Sequence, residues 1–162
     1  MFCGIPGSGK STEAHRMMAT FSNKNFTVGY ISRDEVRFQM VSENNGYFSK
    51  EKEVFKKFVE KINKSIKEND ITIIDATHVS EASRNKILSR IENCNDVRLV
   101  VLYLTTPIDI CKQQNDLRTG RERVPHEAIE RMAEQFEKPT EKEFARFGFD
   151  TVEIWEKPWK EN

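Results

Sequence analysis

Nine residues near the start of the chain, Gly4-Ile5-Pro6-Gly7-Ser8-Gly9-Lys10-Ser11-Thr12, fit the pattern G-x-x-x-x-G-K-[ST]. A chain of phosphates is wrapped best by a loop whose N–H groups turn inward. Gly4, Gly7 and Gly9 allow that curl where side chains would block it. Lys10 adds an ammonium over the outer phosphates, and the Ser11 hydroxyl suits Mg²⁺. A helix opening at this point would aim the positive end of its dipole at the same anions. Gly7, Ser8, Gly9, Lys10, Ser11 and Thr12 are therefore the expected nucleotide-binding residues. The competing reading is an ordinary Gly/Ser connection. The short apolar run before the loop and the helix-compatible Glu13–Ala19 after it decide against that.

Three further sets of residues have types suited to the same chemistry. Asp75 closes the apolar run Ile71-Thr72-Ile73-Ile74, where a carboxylate is costly without a partner. The expected partner is Mg²⁺, shared with Ser11 and reached directly or through water; an Asp bonding the amides of the next turn is the alternative. Asp34 is the expected general base, a carboxylate within reach of an attacking hydroxyl. Its alternative is a simple helix-dipole role, which Glu35 already fills. Arg37 falls three residues on, on the same helix face, and either pairs with Asp34 or holds an anionic group of the acceptor. Arg118, Arg121 and Arg123 lie in a polar stretch from Asn115 to Arg123, read as a lid (about 115–124) that closes over nucleotide. An arginine fork there grips phosphate oxygens and offsets charge on the transferred group. Val124 offers an apolar surface to a base.

The elements that must position these residues alternate. Met1-Phe2-Cys3 reads as the end of a short first strand, followed by a helix to about Phe21. Thr27–Ile31 is the second strand, and Ser32-Arg33-Asp34-Glu35 is a capping box opening a helix to about Val41. Val54, Phe55, Phe58, Val59, Ile62 and Ile66 recur at helical spacing within Ser49–Lys67. The lysines of that helix are interleaved with glutamates and read as a solvated face. Ile71–Asp75 and Val97–Leu104 are buried strands. Ser80 caps a helix to about Ile91, and Thr106 caps another with Pro107 in its first position. Helices from Pro125 to about Phe136 and from Thr140 to Phe147 precede a last strand, Thr151–Trp155, and a short charged tail. This order predicts an α/β fold with a mainly parallel sheet of about five strands, covered by helices on both faces. Ligands in such sheets bind beyond the carboxyl ends of the strands, which places the loop, Asp34 and Asp75 on one rim.

Composition narrows the function classes. Lys+Arg and Asp+Glu are both 26, so zero net charge excludes a global attraction to polyanions or membrane and leaves only local patches. Cys3, Cys94 and Cys111 have no C-x-x-C spacing and read as reduced, buried thiols; His15, His78 and His126 make no metal pattern. A length of 162 residues implies one domain over 1–162. No stretch has the length and apolarity of a membrane span, so the expected location is cytoplasmic.

The order Gly-x-Pro-Gly-Ser-Gly-Lys-Ser-Thr, Ser-Arg-Asp-x-x-Arg, Ile-Ile-Asp-Ala-Thr and an Asn-x-x-Arg lid before Val124 resembles the 5′-kinase domain of polynucleotide kinase, in the P-loop kinase superfamily. The resemblance runs from Met1 to about Trp155. It implies a three-layer P-loop NTPase fold and transfer of the γ-phosphoryl of ATP, or another NTP, to a nucleic-acid 5′-OH. Lys10 and Ser11 would bind the outer phosphates and Mg²⁺, and Asp34 would activate the 5′-OH. Arg37 would contact the acceptor's 3′-phosphate, and Arg118 would stabilise the transition state. Gln114 stands where that family tends to have an arginine stacking on adenine, and His78 where it tends to have asparagine. The same chemistry on a small metabolite or nucleotide sugar is the second reading, and a nucleotide-binding module without an acceptor the third.

Overall fold

The computed structural model describes residues 1–42 and 44–160. The end of the expected charged tail lies outside the described residues. Among the described residues the strands and α-helices follow in the order β1 (Phe2–Cys3), α1 (Lys10–Ser22), β2 (Val28–Ser32), α2 (Arg33–Met40), α3 (Glu51–Glu68), β3 (Ile71–Asp75), α4 (Glu81–Leu88), β4 (Arg98–Thr105), α5 (Ile108–Asp116), α6 (His126–Glu134), α7 (Glu141–Phe144) and β5 (Thr151–Pro158). The alternation expected from the sequence is present, and every strand pair is parallel. The chain divides into two compact units, Met1–Lys10 with Thr77–Asn162, and Ser11–Ala76.

In the first unit β4 runs between β1 and β5. Phe2 opposes Leu102 and Cys3 opposes Tyr103, and a bond from Leu102 N to the Met1 carbonyl (2.9 Å) extends this short ladder. β4 reads as an apolar run because Leu99, Val101, Leu102, Tyr103 and Leu104 are all buried. β5 continues past the expected Trp155 to Pro158, which pairs with Thr105 at the end of the ladder. Proline has no N–H to donate, and it sits where the pairing stops.

Two expectations about helix ends need correction here. α4 stops at Leu88 rather than Ile91, because Arg90 N and Ile91 N bond back only three residues, to Ile87 and Leu88, and tighten the last turn. Thr106 does not cap α5. Pro107 takes the N-cap position, and the Thr106 hydroxyl donates to the Ser8 carbonyl at 2.8 Å.

In the second unit β2 and β3 pair from Val28 opposite Ile71 to Ser32 opposite Asp75. Opposed residues of a parallel pair share a sheet face, as do residues two apart, so Tyr30, Ser32, Ile73 and Asp75 belong to one face. α3 buries Val54, Phe58, Ile62 and Ser65, a stripe at helical spacing. The helix comes so near β2 that a Cβ on Gly29 would lie 1.9 Å from the Ser65 hydroxyl, which itself bonds Thr72 at 2.8 Å. Glycine at 29 is what this approach requires. Ser32 caps α2 through a 3.4 Å bond from Glu35 N, the forward half of the expected box. Among the described residues, no helix is long and apolar enough to cross a membrane.

Candidate functional site

The Gly4–Lys10 loop is built by backbone and apolar contacts. Gly7 has φ +77°, and a Cβ there would meet the Cys111 carbonyl oxygen at 2.1 Å. No side chain fits that position. Gly9, at φ +91°, also lies in the region that favours glycine. Ile5 turns into a cluster with Cys111 of α5 and Ile129 of α6, bordered by Ile108, Val124 and Met132. An isoleucine buried in this way contributes roughly 1.5–3 kcal/mol. The loop is fastened again by Gly4 N to the Thr77 carbonyl (2.9 Å) and by Thr106 to Ser8. Lys10 is buried, and its Nζ donates to the Ile5 carbonyl at 2.8 Å, so the ammonium lies across the loop. Burial pushes the thiols of Cys3 and Cys111 up to about 11, which keeps both protonated beside this loop.

The segment after β3 rests on a buried ion pair. Arg84 is fully buried and donates from Nε and Nη2 to the two carboxylate oxygens of Glu143, at 2.7 and 2.9 Å. Its Nη1 donates to the carbonyls of His78 and Glu137. His78, with φ +45°, places its Nδ1 2.9 Å from the Phe2 carbonyl. The one guanidinium thereby ties α4 and α7 to the stretch whose Thr77 carbonyl holds Gly4.

The segment expected to act as a lid has a stitched base. Asn115 is fully buried; its Nδ2 donates to the Val124 carbonyl (2.8 Å) and its Oδ1 accepts from Val124 N (2.9 Å). Beside these ends, Arg123 and His126 share Asp116 Oδ1 at 2.8 and 2.9 Å. Gln114 and Arg118 are half-buried, and neither side chain makes a hydrogen bond or ion pair among the described residues. Leu117 is 85% exposed, as a lid tip can be. An open hollow of about 350 Å³ lies along Arg123–Glu127 and includes Val124.

In the second unit, the residues at the carboxyl ends of the strands form two separate arrangements. Asp34 is 64% exposed at its side chain and accepts at Oδ1 from Arg37 Nη1 (2.6 Å) and from the Tyr47 hydroxyl (2.9 Å). Its Oδ2 takes no hydrogen bond among the described residues. Arg37 is 5% exposed at its side chain and donates from Nη2 to Glu51 Oε2 at 2.9 Å, while Arg33 bonds Glu51 Oε1. The Arg37 guanidinium also lies 4.5 Å from the Tyr47 ring centroid. Burial acts against the Arg37 charge, but the Glu51 hydrogen bond and the nearby Asp34 leave it more firmly protonated than usual. Glu51 is affected in the complementary way. Burial raises its pKa, and the Arg37 and Arg33 contacts outweigh that to hold it below the usual carboxylate range. Burial, with Asp34 beside it, pushes the Tyr47 phenol up to about 12, so it remains a donor.

The second arrangement is Asp75, 5% exposed, whose Oδ2 accepts from the Tyr30 hydroxyl at 2.7 Å. Burial and this bond raise the Tyr30 phenol far above its ordinary value. Ser11, in the first turn of α1, has an exposed hydroxyl. Among the described residues, no group of three His, Cys, Asp or Glu side chains is placed to hold a metal ion. A hydroxyl and one carboxylate still fit Mg²⁺, which usually takes one or two protein ligands and completes its shell with water and phosphate.

The structure joins several residues that the sequence singled out. Asp34 and Arg37 are in direct contact, Ser32 and Asp75 are register partners, and Val124 borders the cluster that holds Ile5. Arg37 has both terminal nitrogens committed to Asp34, Tyr47 and Glu51, which is the pairing alternative of its two readings. Tyr47, Glu51, Tyr30 and Thr106 carry contacts that sequence reasoning did not assign to them. Of these, Thr106 had been expected only as a helix cap.

The sequence model of a family described as "Chromatin associated protein KTI12" matches residues 1–154. The crystal structure of Chaetomium thermophilum Kti12 in complex with ADP-AlF3 superposes with a TM-score of 0.66 at 19% identity, covering 99% of this chain and 89% of that one. The Deinococcus radiodurans tunicamycin resistance protein superposes with a TM-score of 0.51 at 13% identity, over 91% of this chain and 95% of that one. Identities this low establish the fold, and that fold is the α/β P-loop NTPase arrangement expected from the motifs. The sequence match is more particular than the fold: the chain belongs to the KTI12 family of chromatin associated proteins.

Proposed function

We propose that the chain is an NTP-dependent, Mg²⁺-requiring phosphotransferase that carries the γ-phosphoryl of ATP to a hydroxyl, with a polynucleotide 5′-OH as its first acceptor. The observation that carries this reading is the state of Asp34. One carboxylate oxygen is clamped by Arg37 and Tyr47 and the other is open on an exposed side chain, which is how a general base is held ready. A carboxylate with only a dipole-balancing role would need no such clamp.

In the reaction, the acceptor hydroxyl loses its proton to Asp34 Oδ2 as its oxygen bonds to the γ-phosphorus. The bond from that phosphorus to the bridging oxygen breaks in line, and ADP leaves. The loop amides of Gly7, Ser8 and Gly9 and the Lys10 ammonium hold the phosphates, and Arg118, whose side chain has no other partner among the described residues, offsets charge on the transferred group. Ser11 and Asp75 would hold Mg²⁺, which when bound would supply neutralisation of the phosphate charge. Gln114 and Val124 border the nucleotide base. The family description as chromatin associated supports a nucleic-acid acceptor, in the cytoplasm or the nucleus.

A small-molecule acceptor is the second reading, and one observation favours it. Arg33 and Arg37 are balanced by Glu51 and Asp34, so the cluster has no surplus cation for an acceptor phosphate.

The test is a panel of acceptors with γ-labelled ATP and Mg²⁺. A 5′-OH oligonucleotide is expected to take label, and Asp34→Asn to lower the rate about 10²–10⁴-fold while ATP affinity holds. Normal labelling by Asp34→Asn refutes the base assignment. Label only on nucleosides or sugars selects the second reading, and ATP binding without any transfer selects a binding module.

A further inference from the structure

We propose that Tyr30 sets the cation preference of the nucleotide site by engaging one oxygen of Asp75 and leaving the other for the ion. The inference rests on the reading that Asp75 and Ser11 hold the nucleotide's metal ion. Asp75 is buried at the end of β3, and its Oδ2 is taken by the Tyr30 hydroxyl at 2.7 Å. Oδ1 accepts no hydrogen bond among the described residues. The phenol is held in place from two sides. Tyr30 is fixed in β2 opposite Ile73, on the sheet face that also carries Asp75, and the His15 ring of α1 packs 4.8 Å from its ring centroid.

Such a carboxylate discriminates between hard cations by geometry. Ca²⁺ takes six to eight oxygens at longer distances and often uses both oxygens of a carboxylate, whereas Mg²⁺ keeps an octahedral shell with several waters and needs only one. With one lone pair of Oδ2 engaged, Asp75 favours a one-oxygen contact, direct or through water, over chelation. Tyr30 is a positioning residue here: it acts on the ion only through Asp75.

The experiment measures binding of a fluorescent N-methylanthraniloyl-ATP to the full chain in EDTA, in Mg²⁺ and in Ca²⁺, and so needs no turnover. Wild type is expected to bind at least about tenfold more tightly with Mg²⁺ than with Ca²⁺. Tyr30→Phe is expected to lose most of that preference, through a Mg²⁺ requirement about tenfold higher and an improved response to Ca²⁺, with the EDTA affinity unchanged. A merely structural tyrosine would change affinity in all three conditions alike, and that result overturns the proposal. If Tyr30→Phe keeps both cation titrations while Asp75→Asn flattens them, the proposal falls and the metal reading stands. If wild type binds equally in all three conditions, the metal reading fails and takes the proposal with it. Should Tyr30→Phe not fold, 3-fluorotyrosine at position 30 keeps the hydroxyl and makes it a stronger donor. It is then expected to sharpen the Mg²⁺ preference, and an unchanged preference refutes the proposal.

Discussion

The phosphate loop and the Asp34 cluster hold their shapes by opposite means. The loop is fixed by close backbone approach at Gly7, by Ile5 in an apolar cluster and by carbonyls that accept from Thr106 and Lys10. The Asp34 cluster is an alternating chain of charges, Arg33–Glu51–Arg37–Asp34, closed by the Tyr47 hydroxyl. Apolar and backbone restraints are short-ranged and insensitive to salt, whereas a charge chain depends on every link and weakens with screening. A binding loop gains from stiffness. A base of the kind proposed for Asp34 gains from being adjustable.

The sharpest way to break the contrast is to place a broken charge in the stiff region. Arg84→Ala leaves Glu143 buried without its partner and is expected to cost about 3–5 kcal/mol, read by urea unfolding. Replacing both by Arg84→Met and Glu143→Leu should recover most of that loss. Gly7→Ala comes next. Its methyl meets a backbone carbonyl at a positive φ, so about 1–3 kcal/mol of stability should go, and nucleotide affinity should fall further than stability does. Unchanged ATP binding in a folded Gly7→Ala protein would contradict the loop geometry.

Glu51→Gln tests the charge chain and should cost about 1 kcal/mol, less at 1 M salt than at low salt, because the pair is partly exposed. Glu51 is held below its ordinary range, so its contribution is present above the unfolded carboxylate value and lost as pH falls through the folded one. The variant should therefore lose less stability than wild type on acidification below about pH 4.5. The thiols give the smallest effect. Cys3 and Cys111, raised to about 11, should shed a little stability as pH climbs from about 9 towards 11, because the unfolded chain ionises first. Cys94, less buried, should react first with a thiol reagent at neutral pH.

How far the sequence revealed these regions follows from the same contrast. The loop is contiguous, and its glycines and lysine can be read at fixed spacing. The strand order came from runs such as Ile71–Ile74 and from the stripe on α3. Asp34 and Arg37 were visible together because three residues on a helix share a face. Tyr47 and Glu51 lie beyond a non-periodic stretch, so nothing local announces that they close the clamp. Arg84 and Glu143 are 59 residues apart, and each alone looks like a surface charge. Thr106-Pro107 misled for a specific reason: the dipeptide suits a helix start, but the hydroxyl found a stronger use on the Ser8 carbonyl.

Asn115 returns both atoms of its amide to Val124, so residues 116–123 hang from a closed ring rather than from two free ends. An appendage of that kind can grow, shrink or be exchanged with little change at its attachment, since doubling a loop's length adds only about 0.6 kcal/mol of closure cost. In a chain of this architecture, 119–122, clear of Arg118, is thus the natural place for relatives to diverge in length, and the natural place to graft a reporter sequence.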